Sequence, residues 1–267
     1  MNYKAFIEDN LEIVNKKLET VPFILNAPQN KINASLKGKD IILKARQEGF
    51  SSFIAAMFTA DFILTPNSYS VIVADIDDNS QMLLEKVKGY IKSYERHNMV
   101  KVPLKYNSKT ELFNPFMNSR YNIGTARNTE FGRSRTISNL HLSEVAFFSN
   151  IENIIAGAGQ AVIPGGKFVL ETTANGFNDF KDMWERSKRG ETGFTTHFFK
   201  ASEFYSVEFL KEKAVELGRK YKQEYPETDI EAFVASGECY FNTEGLQWHY
   251  DRAIKPGVNV ANSVGLC

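Results

Sequence analysis

Lys44, Gly49, Ser51 and Glu144 are residues whose types and spacing can do chemistry together. The stretch Lys44-Ala45-Arg46-Gln47-Glu48-Gly49-Phe50-Ser51-Ser52 follows a strand-like run and opens a helix-like one. That context gathers backbone N–H groups and the positive end of a helix at one point, where phosphate oxygens bind. Against the spacing G-x-x-x-x-G-K-[ST], Gly49 and Ser51 match, Lys44 takes the first glycine's place and Phe50 takes the lysine's. A phosphate cradle needs an ammonium near the β and γ oxygens, and a side chain from the loop's first position can fold across to supply it. Ser51 would then ligand Mg²⁺. Arg46 reads either as a second cation on the γ-phosphate or as a partner of Glu48. The plainer alternative is a surface lysine at a strand end, since a Gly-Ser helix start is common in α/β proteins.

A second acidic element lies further on. The run Ile137 to Leu142 leads into Ser143-Glu144, placing a carboxylate at the carboxyl end of a buried strand, where α/β sheets put their active sites. A glutamate there can orient and deprotonate an attacking water. Ser143 stands where a metal-holding Asp is expected. His141 alternates toward the sheet and reads as a core histidine. A third strand end, Glu171-Thr172-Thr173-Ala174-Asn175-Gly176, offers two hydroxyls and an amide for sensing a γ-phosphate, or else a plain strand-to-turn transition.

The elements that must position these groups follow from periodicity. Five short apolar runs read as buried strands: Asp40 to Leu43, Ser70 to Ala74, Ile137 to Leu142, Lys167 to Thr172 and Thr195 to Phe199. Helical patterns alternate with them, the signature of a parallel α/β sheet. Ser51 to Leu64 is almost uncharged, as a helix buried beside a sheet should be. Asp78 and Gln81 form a capping-box pattern ahead of Leu83, Leu84, Val87, Ile91 and Tyr94. Ser206 to Tyr221 is a second amphipathic helix, with Val207, Leu210, Ala214 and Leu217 in register.

Composition bounds the rest. The 267 residues carry 32 basic and 32 acidic side chains and are 43% hydrophobic, which excludes disorder and a wholly basic nucleic-acid coat. Any DNA contact must therefore be a local patch, and Lys86, Lys88 and Lys92, continued by Arg96, Lys101, Lys105 and Lys109, read either as a solvated face or as a phosphate-tracking one. Two cysteines, Cys239 and Cys267, give no disulfide framework and fit a reducing setting. The uncharged run Gly49 to Ala60 is far shorter than the roughly 20 residues that span a bilayer, so a soluble protein with no membrane partner is expected. Residues 1–237 read as one domain, and 238–267 as a linker or the start of another.

Taken in order, these pieces resemble the large subunit of the tailed-phage terminase, the motor that packs DNA into a procapsid. VPFILNAPQNKI, with Phe23, Asn26 and Gln29, is similar to the family's adenine-contacting segment. KARQEGFSS is similar to a deviant phosphate loop with its lysine at the start, LHLSEVAFF to the acidic motif, TTANGF to the coupling motif, and EYPETDIEAFVASGECYF to the stretch that closes the ATPase domain. The resemblance implies a three-layer P-loop ATPase of the RecA-like, additional-strand type with a central, mostly parallel sheet. It implies ATP and Mg²⁺ as cofactors, with Gln29 at the adenine, Lys44, Arg46, Gln47, Gly49, Ser51 and Ser52 around the phosphates, Ser51 on the metal and Glu144 as the catalytic carboxylate. Thr172 and Thr173 would couple hydrolysis to movement, and Arg133, chosen from Arg127, Arg133 and Arg135, would reach a neighbouring subunit's nucleotide. Implied partners are double-stranded DNA, a portal protein, a small terminase subunit and further copies in a ring. The setting implied is the host cytoplasm, transiently docked on a procapsid. Residues 238–267 would then be the stub of a nuclease domain, with no nuclease activity expected from this chain itself. A helicase-like remodeller and a non-hydrolysing nucleotide-binding or interaction module are the alternatives.

Overall fold

Runs such as IIL, VIV and FVL are apolar on both faces, so they must be covered on both sides, and parallel strands between helices achieve that. The computed structural model describes residues 1–126, 136–234, 245, 248, 249 and 252. The chain opens with α1 (Tyr3–Asn10), a small antiparallel hairpin of β1 (Glu12–Val14) and β2 (Thr20–Pro22), and α2 (Ala27–Ser35). Next come β3 (Lys39–Lys44), α3 (Phe50–Leu64), β4 (Tyr69–Ala74) and α4 (Asp77–Asn98). Three strands follow, β5 (Tyr106–Asn107), β6 (Glu111–Asn114) and β7 (Ser119–Thr125). The remainder is β8 (Ile137–Ser143), α5 (Ile151–Ala158), β9 (Val162–Thr172), α6 (Asp179–Lys188), β10 (Thr195–Phe199), α7 (Val207–Leu217), α8 (Tyr221–Glu224) and α9 (Asp229–Val234).

The main sheet has the order β10-β3-β9-β8-β4-β7-β6-β5. Every neighbouring pair from β10 to β7 is parallel, and β6 and β5 return antiparallel. All five expected strands are present, and β9 inserts between β3 and β8, the additional strand of the expected architecture. Ile42, Ile72 and Val169 face a core formed with α1, α3 and α4. Ile41, Leu43, Val71, Val73, Leu140, Leu142 and Leu170 face the opposite core, with α5, α6 and α9. These are the three layers. Burying side chains such as Phe53, Phe58 and Phe62 of α3 contributes about 1.5–3 kcal/mol each.

Three local expectations are corrected. Helix α4 starts at Asp77 behind Ile76, which has no side-chain cap, so Asp78 and Gln81 form no capping box. Ser80 is drawn inward instead, donating to the Gly124 carbonyl at 2.7 Å, while Asp77 and Asp78 still oppose the positive helix end. In α7 only Leu210 is buried and Val207 is 60% exposed, because this helix packs on a small aromatic cluster beside the sheet edge rather than on the sheet. Lys86, Lys88 and Lys92 do not share one exposed face. Lys86 is exposed but leans onto α3, whereas Lys88, paired with Glu85, and Lys92 lie one turn apart on another face.

Candidate functional site

Parallel register brings the three chemistry-bearing strand ends together. Leu43 of β3 lies opposite Thr172 of β9, and Glu171 of β9 opposite Ser143 of β8, so Lys44, Glu171, Thr172, Ser143 and Glu144 meet at one sheet edge. Helix α3 starts above that edge. Gly49 caps it with φ 82°, a left-handed conformation that glycine adopts without steric cost.

Lys44 does fold across the site. Its Nζ lies 3.1 Å from Glu144 Oε1 and 3.1 Å from Glu171 Oε2. Burial opposes the lysine's charge, but Glu171 and Glu144 outweigh it and hold its pKa above the ordinary value. The surface-lysine alternative is thereby replaced by a buried cation between two acids.

Glu171 is fully buried and is the most connected carboxylate of the group. Its Oε1 accepts the Ser51 hydroxyl at 2.7 Å and the Ser143 hydroxyl at 2.6 Å, with His141 Nε2 3.4 Å away. Burial raises its pKa, yet Lys44, His141 and Ser143 together hold the carboxyl below the usual range. His141 is thus a core residue, as expected, and also borders the site. In the sequence Glu171 only opens the third strand end, whose hydroxyls and amide carried the expected role. The available signal was a lone carboxylate at the end of the apolar run KFVLE.

Glu144 sits differently. It has φ 57° and ψ 44°, uncommon for a side-chain-bearing residue, and its backbone N–H donates to the Glu171 carbonyl at 2.8 Å. This conformation turns its side chain, still 32% exposed, toward the site's open side. Oε2 accepts from the Thr173 N–H at 3.4 Å and lies 3.4 Å from Thr172 Oγ1, whose proton goes to the Thr173 carbonyl at 2.7 Å. Strain of this kind gathers at functional sites, and here it accompanies a partly solvated carboxylate beside a lysine.

The other expected site residues divide. Gln29 is buried in the capping box of α2, its Oε1 accepting from the Asn26 N–H at 3.1 Å and its Nε2 donating to the Gly49 carbonyl at 2.8 Å. Its amide therefore holds the phosphate loop, while Phe23 lies in the core against Tyr90. Arg46 is exposed and pairs with Glu224 at 3.1 Å, away from Lys44. The loop is pinned there from outside, since the Arg46 N–H donates to the Glu224 carbonyl and Tyr205 Oη donates to the Arg46 carbonyl. Gln47 is exposed, with φ 60°. Ser52 Oγ accepts from Lys86 Nζ at 3.0 Å, placing a second ammonium by the loop helix that no motif pointed to. Glu48 is buried with no hydrogen-bond partner on either oxygen, and burial pushes its carboxyl up to about 9. Arg127, Arg133 and Arg135 lie outside the described residues.

Chemically, the edge offers hydroxyl and carboxylate oxygens, one buried ammonium and a helix N-terminus. Two carboxylates face one lysine, so the cluster has an excess negative charge that a divalent cation would balance. Hard oxygen donors suit Mg²⁺, which needs only one or two protein ligands when phosphates and waters complete its shell. Among the described residues no group of three or more His, Cys, Asp or Glu forms a cage for a metal alone. No helix among them is long and apolar enough to cross a membrane.

No protein-family model and no curated protein matches the sequence. Solved structures do. The ATPase domain of the large terminase of Thermus phage P74-26 is 16% identical, with 75% of this chain and 92% of that one covered and a TM-score of 0.59. The large terminase of bacteriophage HK97 is 16% identical, covering 82% of this chain and 51% of that one, at a TM-score of 0.63. The large terminase of a thermophilic bacteriophage, in complex with ATP-γ-S, is 12% identical over 74% of this chain and 51% of that one, at a TM-score of 0.56. This chain spans about half the length of the latter two. Its fold is that of the large-terminase ATPase domain.

Proposed function

We propose that the chain is the ATPase motor domain of a phage large terminase, hydrolysing ATP to drive double-stranded DNA into a procapsid. The observation that carries this is Lys44 reaching from the start of the loop to the two acids at the neighbouring strand ends, beneath the helix that Ser51 opens. Residues 1–237 are assigned to the motor unit. The phosphate chain lies on the N–H groups of the loop and of the first turn of α3, and Lys44 turns from its acids to the γ-phosphate. Ser51 would hold a Mg²⁺ ion, which when bound would neutralise phosphate charge. Glu144, released by Lys44, orients the attacking water and takes its proton. Thr172 and Thr173, which lie beside that carboxylate, register loss of the γ-phosphate and pass it to β9. Arg133 of a neighbouring copy in a ring is the candidate trans cation, and a portal protein and a small subunit are the proposed docking partners in the host cytoplasm.

The test is ATP turnover with and without duplex DNA. Wild type should hydrolyse ATP, and a folded Lys44→Ala should lose turnover and nucleotide affinity, a charge-assisted phosphate contact being worth roughly 1.5–3 kcal/mol. Unchanged turnover in that variant, or none in wild type with DNA present, overturns the reading.

A further inference from the structure

A magnesium–nucleotide site in a P-loop protein uses the loop hydroxyl together with a carboxylate at an adjacent strand end. The residue preceding Glu144 is Ser143, which carries no charge. We propose that Glu171, on the inserted strand β9, supplies that carboxylate in its place. The inference rests on the nucleotide reading above.

Three observations converge on Glu171. Its Oε1 accepts the Ser51 hydroxyl at 2.7 Å, so it stands beside the group expected to touch the metal. Ser143 does not compete for that place. Directly opposite Glu171 in the β8–β9 register, it donates its hydroxyl to the same oxygen at 2.6 Å. The carboxylate has in effect moved one strand sideways, and a serine has taken its former position as a donor that orients it. Glu171 is also fully buried with Lys44 Nζ 3.1 Å from its Oε2, so when the lysine turns to a phosphate a buried carboxylate loses its cation and calls for another. Glu144 does not serve equally: its Oε1 meets Lys44 at 3.1 Å and its Oε2 takes the Thr173 N–H at 3.4 Å, whereas the Ser51 hydroxyl goes to Glu171.

The experiment measures the affinity of a fluorescent ADP analogue with Mg²⁺ and with EDTA, in wild type, Glu171→Gln and Glu171→Asp, with circular dichroism to report folding. Wild type should bind about 10-fold or more tightly with Mg²⁺, whereas Glu171→Gln should show less than about a 2-fold gain while binding in EDTA persists. Glu171→Asp keeps the charge beside Lys44 but withdraws it by one methylene, so it should fold and also lose most of the gain. A full Mg²⁺ gain in either folded Glu171 variant overturns the proposal and leaves the nucleotide reading standing. Absence of binding in wild type under both conditions overturns the nucleotide reading itself.

Discussion

Lys44 Nζ lies 3.1 Å from Glu144 Oε1 although 100 residues separate them in the chain. Glu144 and Glu171 together occupy the lysine. On the proposed reading, a γ-phosphate would compete for Lys44 and release Glu144. Nucleotide binding and activation of the base would then be linked through this ion pair.

The linkage gives Glu144→Gln two separable effects. A water-activating carboxylate acts mainly in the transition state, so turnover should fall roughly 100-fold or more. Nucleotide affinity should hold or tighten, because Lys44 loses one of its two acidic partners. Single-turnover hydrolysis and equilibrium binding check the two effects separately, and a parallel fall in both would make Glu144 a structural group.

Gly49 and Gln29 should be coupled energetically. A Cβ at residue 49 would meet Gln29 Nε2 at 2.8 Å, and the φ of 82° disfavours any side chain there. Gln29 cannot swing away cheaply, since its other amide atom closes the capping box of α2. Gly49→Ala should therefore destabilise by about 1 kcal/mol or more, and the double variant with Gln29→Ala by less than the sum, with a coupling of about 0.5–3 kcal/mol. Strict additivity in thermal or denaturant unfolding would mean that Gln29 does not brace the loop.

The difference between what local sequence reveals and what topology decides is clear at this site. Five of the six parallel strands were legible because apolar, β-branched runs can be buried on both faces only there; β7, with the mixed sequence SRYNIGT, was not. Gly49 and Ser51 were legible because a strand-loop-helix turn is local. Glu171 acquires its part from the insertion of β9 between β3 and β8, a strand order that no short window contains. Arg46 was likewise set beside Glu48 by proximity in sequence, whereas folding gives it Glu224. The strands β5 and β6, only two and four residues long at the sheet's edge, lacked the apolar run that marks a strand, and β5 lay within what read as a basic tract.

Glu48 makes stability depend on pH. Its folded pKa of about 9 lies above the 4.5 of an ordinary glutamate, so between these values the folded state binds more protons than the unfolded one. Stability must then fall as pH rises through that window, by up to about 1.4 kcal/mol per pH unit from this group. Glu48→Gln removes the ionisation, so the melting temperature of wild type should drop relative to the variant on going from pH 5 to pH 8. Parallel melting curves at both pH values would show that Glu48 ionises in the fold without penalty.

The lysines of α4 should divide between two ligands. Lys86 reaches Ser52 at the start of α3, next to the proposed phosphate position, so Lys86→Ala should weaken nucleotide binding by about 3-fold, the scale of an exposed charge contact, and leave duplex affinity unchanged. Lys92 projects outward, and Lys88, though paired with Glu85 at 2.7 Å, follows the same face one turn before it. If that face tracks a DNA backbone, changing both to Ala should lower duplex affinity for every sequence alike and reduce the slope of log affinity against log salt by about 0.9 for each phosphate no longer neutralised. Avidity in a ring multiplies weak binding, so the assay needs low salt and the highest-order species the protein forms. An unchanged salt slope in the Lys88 and Lys92 double variant would return this face to solvent. A loss of duplex affinity in Lys86→Ala would instead place DNA, not nucleotide, over the end of α3.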